Sequence, residues 1–285
     1  MMTPPSSAYH SEALLSELAE RARELRLASL EMIHRRGAGH PGGSLSAAEI
    51  MAALFFHKLN IDPARPDWPE RDRFILSKGH ASAILYAALA RRGFFPRADL
   101  EHWGELACHL QGHPDRLKTP GVDMTSGLLG HGIAIGVGLA LAARRQGLGY
   151  RTYVLMGDGE IQGGIVWEGA LAAAKFRAAN LTAILDYNDV QLDGSVHDIM
   201  PLEPLIDKWR AFNWAVLEIN GHNLRQVLEA LDTACEIHGR PTIIVAHTTK
   251  GKGVSFMEGR SAWHGIAPNA AQLAQAVTEI GRCAE

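Results

Sequence analysis

Thr152-Tyr-Val-Leu-Met-Gly157-Asp158-Gly159-Glu160 is an apolar run that stops abruptly at an acid held between two glycines. A short continuous apolar run bounded by turn residues suits a strand buried on both faces. Four further runs read the same way, at 73–76, 182–187, 214–219 and 242–246. Helical stretches separate them, at 81–92, 130–145, 166–178, 203–212 and 224–238. Strands alternating with helices predict a parallel sheet covered on both sides. Residues 11–36 form a further helix, with leucines at 14, 15, 18, 25 and 27 among Glu and Arg. Ser46-Ala-Ala-Glu49 fits a capping box that opens a helix through Leu59. The expectation is one α/β domain over 1–285, a doubly wound, mostly parallel sheet with helices on both faces. Residues 1–10 are expected to be a flexible lead.

Composition narrows the function. The 285 residues are 47% hydrophobic and carry a net charge of −3, so no basic footprint for nucleic acid is present. Cys108, Cys235 and Cys283 are scattered and odd in number, which argues against a disulfide framework and fits a reducing, cytoplasmic setting. The polar, Pro-rich start does not resemble a signal peptide. The most apolar stretch, 127–143, has 17 residues, five of them Gly, with His131 inside it. A membrane span wants about 20 apolar residues, so this stretch predicts a buried, close-packed helix and no membrane role.

In doubly wound sheets ligands sit beyond the carboxyl ends of the strands. Here those ends read Ser77-Lys-Gly-His80, Gly157-Asp-Gly-Glu160, Asn188-Asp-Val190 and His247-Thr-Thr-Lys-Gly251. Polar and Gly-rich residues therefore collect at one edge four times. Neither a dinucleotide fingerprint nor a Walker motif occurs. Asp158 could ligate a hard cation, Asn188 could add a neutral oxygen, and the glycines admit a phosphate close to the backbone. The same residues also suit a turn Asp and a capping Asn. Cys108 and His109 lack the second pair that a zinc site requires. His34, His57, His102, His197, His222 and His238 have no partner spacing, and Glu168 reads as a structural helix charge.

The flanking text is more specific. Gly157-Asp158-Gly159 followed by Asn188 resembles the thiamine diphosphate motif. The segments 35–46, Ser77-Lys-Gly-His80-Ala, Gln111-Gly-His113-Pro-Asp115, Ser126-Gly-Leu-Leu-Gly130, 249–258 and Trp263-His264-Gly265 resemble transketolases, in family order along nearly the whole chain. That resemblance implies a thiamine diphosphate-binding fold and transfer of a two-carbon ketol unit between a ketose and an aldose, or their phosphates. It implies Mg²⁺, with Ca²⁺ or Mn²⁺ as substitutes, held by Asp158, Asn188 and the Val190 carbonyl. His80, His264, Gly157 and the Gly159 amide would meet the diphosphate. Gly127, Leu128 and Leu129 would lie near the aminopyrimidine. His40, His113 and His264 would be catalytic, lining the substrate channel.

The family's pyrimidine-binding and C-terminal domains are not in this sequence. The resemblance thus implies a partner chain carrying them, in an α₂β₂ assembly. Two positions depart from the family pattern. Gly163 stands where Glu is common, in an acidic cluster linking paired sites, although Glu160 is nearby; His131 stands where Gln is usual. The alternatives are the α subunit of a 2-oxo acid dehydrogenase and a catalytically silent cofactor-binding subunit. Deoxyxylulose phosphate synthase fits the Gly-His-Pro segments less well.

Overall fold

The computed structural model of the chain describes residues 10–282. The expected flexible lead therefore lies outside the described residues except for His10, which is buried; Cys283 also lies outside them. Ser11 accepts a hydrogen bond from the Leu14 amide and opens α1 (Glu12–Arg36), which Gly37 closes in the left-handed conformation. Next come α2 (Pro41–Ser46), α3 (Ala48–Ala53) and a π turn over Leu54–Lys58. The remaining elements are β1 (Arg73–Leu76), α4 (Ser82–Arg92), α5 (His131–Gln146), β2 (Thr152–Gly157), α6 (Gly164–Lys175), β3 (Leu181–Tyr187), α7 (Val196–Ile199), α8 (Leu205–Ala211), β4 (Ala215–Asn220), α9 (Leu224–Glu236), β5 (Thr242–His247) and α10 (Ala270–Arg282).

All strand pairs are parallel and the sheet order is β1-β2-β3-β5-β4. Alternation along each strand divides the interior into two cores, because successive side chains point to opposite faces. Phe74, Leu76, Tyr153, Leu155, Ile184 and Ile244 join α1, α3, α4 and α9 on one face. Ile75, Val154, Met156, Leu185, Ile243 and Val245 join α5, α6 and α8 on the other. The sheet is thus doubly wound, as its apolar strands predict. Gly136 lets α5 lie directly on β2, since a Cβ there would come within 2.7 Å of Val154 Cγ2. A smaller cluster of Leu30, Leu45, Val254, Met257, Ala276 and Ile280 ties α10 and the loop after β5 to α1 and α2.

Two local expectations change. Ser46 ends α2 and opens nothing; its hydroxyl donates to Asp186 Oδ2 at 2.6 Å, a partner distant in sequence, while Glu49 pairs with Arg26 and His222. A tertiary contact has captured the residue that local rules make a cap. The capping box that does form is at α10, where Asn269 and Gln272 exchange side-chain-to-amide bonds of 2.9 Å each. The apolar stretch 127–143 is buried on one side only: Ile133, Val137 and Ala140 are in the core, whereas Leu128, Leu129 and Ile135 are exposed. Among the described residues no helix is long and apolar enough to cross a membrane.

Candidate active site

The carboxyl ends of β1, β2, β3 and β5 converge, and α2 lies across them. Between them is a cavity of 170 Å³ whose wall includes Lys78, His80, Asp158, Asn188, Lys250 and His264. Larger hollows of 360 and 590 Å³ lie between α1 and α4 and at the amino end of β1, one of 410 Å³ lies beside Arg26, Glu49 and His222, and one of 530 Å³ lies past the ends of β4 and β5. The last two reach only the segments after β4 and β5, at one side of the sheet, whereas the smaller cavity gathers the ends of β1, β2, β3 and β5 around one space.

Its floor is a closed polar network. Asp186, inside β3, is fully buried and accepts bonds from Ser46, from Thr248 Oγ1 and from the Lys78 ammonium. Lys78, 2% exposed, also donates to the Gly43 carbonyl at 2.7 Å. Burial opposes ionisation of Asp186, but Lys78 and the two hydroxyls outweigh it and hold the carboxyl below its usual range.

Above this floor the expected metal ligands come together. Asp158 accepts from the amides of Gly159, Asn188 and Asp189 at 2.7, 2.8 and 2.6 Å. Burial, then the charge of Asp186, pushes its carboxyl up to about 6. Asn188 Oδ1 accepts from the Val190 amide at 3.2 Å, and the Val190 carbonyl accepts from Lys250 Nζ at 2.7 Å. Burial brings the Lys250 ammonium down to about 8, with Asp158 opposing. Lys250 also lies 3.0 Å from His264 Nδ1. No cluster of three or more His, Cys, Asp or Glu able to hold a metal exists among the described residues. A cation here would therefore rest on one carboxylate, an amide oxygen and a backbone carbonyl.

His80 and His264 stack with centroids 5.0 Å apart, and His40 meets both edge-on at 5.1 and 5.3 Å. Burial, and next the neighbouring cations and imidazoles, holds all three below the usual histidine range, His264 at about 4 and His80 well below. They are thus neutral at pH 7, able to donate at one ring nitrogen and accept at the other. Leu129, Gly157 and Gly159 also line the cavity. Gly127, Leu128 and His113 do not; they form a rim, where the His113 ring lies against Gly127.

Glu160 does not stand in for the absent acid at 163. It points inward, accepting from Ser77, from the Gly130 amide at 2.7 Å and from the Gly157 amide at 3.0 Å, and so clamps three loops together. Gly163 is exposed at φ −72°, a conformation open to any residue. His131 Nδ1 lies 3.2 Å from the Leu129 carbonyl, at the start of α5. Sequence reasoning missed Lys78, Asp186, Lys250 and the inward role of Glu160. The one available signal was an acid inside the apolar run of β3.

Residues 18–284 match the family described as transketolase, thiamine diphosphate binding domain. The chain belongs to the transketolase family. It is 45% identical over 264 residues to the 6-deoxy-6-sulfo-D-fructose transketolase subunit SqwG of Clostridium sp. strain MSTE9, covering 93% of this chain and 96% of that one. It is 41% identical over 251 residues to an apulose-4-phosphate transketolase subunit of Phocaeicola vulgatus, covering 88% and 89%. Among solved structures, transketolase from Leishmania mexicana superposes with a TM-score of 0.87 at 32% identity over 93% of this chain. The chain spans only 41% of that transketolase. Family membership places it in thiamine diphosphate-dependent ketol transfer, on the cofactor-binding part of the transketolase fold.

Proposed function

We propose that this chain is the diphosphate-binding subunit of a two-chain transketolase, competent only with a cytoplasmic partner that carries the pyrimidine-binding domain. The observation that carries the proposal is Asp158: a buried carboxylate at the strand ends that forms no ion pair among the described residues. The donor set fits Mg²⁺, which prefers a few hard oxygens and leaves positions for phosphate and water. Asp158, Asn188 and the Val190 carbonyl would hold the ion, with Ca²⁺ or Mn²⁺ as substitutes. His80, His264, Gly157 and the Gly159 amide would grip the diphosphate, and Gly127, Leu128 and Leu129 would border the aminopyrimidine.

Thiamine diphosphate, when bound, supplies the carbanion chemistry of ketol transfer. The chain's own residues bind and orient. Lys78, already paired with Asp186, ties the end of β1 to β3 and holds Gly43 beside the cavity. His40 and His264, neutral and edge to face, are placed to exchange hydrogen bonds and protons with substrate hydroxyls, and His113 would do so from the rim. Lys250 places a positive charge where a diphosphate would lie.

Support for a partner comes from the rim. Leu128 is 68% and Leu192 60% exposed beside the cavity, and Leu171 of α6 is 59% exposed. The Clostridium and Phocaeicola relatives match this chain along nearly their full length, and their names specify an anionic sugar in each case. The substrate class proposed here is accordingly a sugar phosphate or a similar anionic sugar, and the assembly α₂β₂. Mixing the purified chain with its partner, thiamine diphosphate and Mg²⁺ should restore ketose consumption that neither chain shows alone. Robust turnover by this chain alone would overturn the proposal.

A further inference from the structure

Arg36, the last residue of α1, is exposed, and its guanidinium lies over the Trp103 ring, 4.6 Å from the centroid. Trp103 is itself fixed: it is 4% exposed, and its indole N–H donates to the Gln111 carbonyl at 2.9 Å. Two glycines flank the guanidinium. A Cβ on Gly104 would come within 2.5 Å of Arg36 Nε, and one on Gly112 within 3.0 Å of an Arg36 terminal nitrogen. The side chain therefore sits in a slot made of an aromatic face and two positions without side chains. Among the described residues, nothing in that slot accepts a hydrogen bond from it, and it forms no ion pair. Its neighbour Arg35 is an ordinary surface arginine, paired with Glu101 at 2.7 Å.

The slot opens at the rim of the cavity. Gly112 precedes His113, whose ring lies against Gly127. The Arg36 charge, after burial, is among the causes that lower His113 and His40. A guanidinium held flat by stacking has little freedom left to lose, and its fork of N–H groups matches two oxygens of a tetrahedral oxyanion. Ordinary surface arginines need no such slot.

We infer that Arg36, stacked on Trp103 between Gly104 and Gly112, is a substrate-binding residue that receives the anionic end group of the sugar, a phosphate ester or a sulfonate. The inference rests on the ketol-transfer reading above and adds a recognition element from this chain at the outer end of the channel.

The test compares Arg36→Gln and Arg36→Lys with the wild type in the reconstituted two-chain enzyme, using D-glyceraldehyde 3-phosphate and D-glyceraldehyde as acceptors. Arg36→Gln should raise KM for the phosphorylated acceptor about tenfold more than for the unphosphorylated one, the scale of one charge-assisted bond pair. The kcat ratio should stay the same, and Arg36→Lys should recover only part of the loss. Equal KM changes for both acceptors would overturn the inference. A second measurement uses this chain by itself: inorganic phosphate and methanesulfonate are titrated while the Gly104 and Gly112 amide resonances are followed. Saturable shifts in the wild type that vanish in Arg36→Gln are expected, and the tighter probe identifies the end group. No shift, or shifts that survive Arg36→Gln, would overturn the inference. If the assembled enzyme transfers no ketol unit, the functional reading fails, and the anion titration still decides the role of Arg36.

Discussion

Asp158 and Asp186 stand at the ends of neighbouring strands, both buried, yet their surroundings differ in one respect. Asp186 has a cation of its own in Lys78, and two hydroxyls complete its shell. Asp158 has only backbone amides and is pushed up to about 6 by burial and by the charge of Asp186. An ionised carboxylate inside a protein is tolerable only when paired or coordinating a cation. The fold pairs the first acid directly with a cation, whereas the second makes no ion pair, feels the charge of Lys250 only from a distance, and is proposed to be completed by a metal ion. The first site is therefore structural, and the second is the one proposed to bind the metal.

The same substitution at both positions sharpens the contrast. Asp186→Asn keeps the shape but strands the Lys78 ammonium in the interior, a loss of about 3–5 kcal/mol. Thermal unfolding should show Tm lower by on the order of 10 °C. A change below about 1 kcal/mol would mean that Lys78 finds another partner and that the network is not what holds the floor.

Asp158→Asn should do the reverse. It relieves an unpaired buried charge, so stability at pH 7 should shift by less than about 1 kcal/mol. Thiamine diphosphate binding by the assembled enzyme should weaken by at least on the order of 100-fold, the upper end of what loss of a metal site's outer-shell partner costs. Chelating the metal should reproduce that loss in the wild type and add nothing in the variant. Calorimetric titration with and without EDTA reads both outcomes. Equal destabilisation by the two substitutions would dissolve the distinction between the sites.

The smallest effect concerns the histidines above the two acids. His264 is held at about 4, chiefly by burial, against 6.5 in an unfolded chain. Its folded-state value is depressed, so below pH 6.5 the unfolded state binds the proton more readily and stability drops as the pH drops. His264→Gln removes this loss. Between pH 7 and 5 the variant should lose about 1 kcal/mol less stability than the wild type, a figure already discounted for partial solvent exposure. Comparing the two proteins cancels the opposite trend from Asp158 and Glu160. Parallel urea-denaturation curves at both pH values would show that this imidazole titrates normally.

Much of this site was legible because strands buried on both faces leave short apolar runs, and the residues just past each run lie at the edge where ligands bind. Gly157-Asp158-Gly159, Asn188 and His80 could be placed at one edge on that ground alone. Their partners could not. Ser46 obeys the local rule for a helix cap, and only the folded chain shows its hydroxyl drawn to Asp186. Lys78 and Lys250 lie within the polar segments at the strand ends, but which acid or carbonyl each one meets depends on strand order. The opposite error concerns α10. Asn269 and Gln272 carry a capping signal, and Leu273, Val277 and Ile280 follow at helical spacing, yet the alternation of strands and helices leaves that segment without an assigned helix. Arg36 had no signal, because its slot is made by residues of another loop.

The strand order bears on how the chain is made. β5 is the last strand of this sheet in chain order, yet it belongs between β3 and β4. Until it emerges from the ribosome, those two strands have no partner on their facing sides, and unpaired edges invite pairing with other chains. The loop bearing Thr248 and Lys250 arrives with the same strand. The nascent protein therefore acquires this central strand and the Lys250 side of its cavity together, with His264 following, and a product truncated before residue 242 would have none of them.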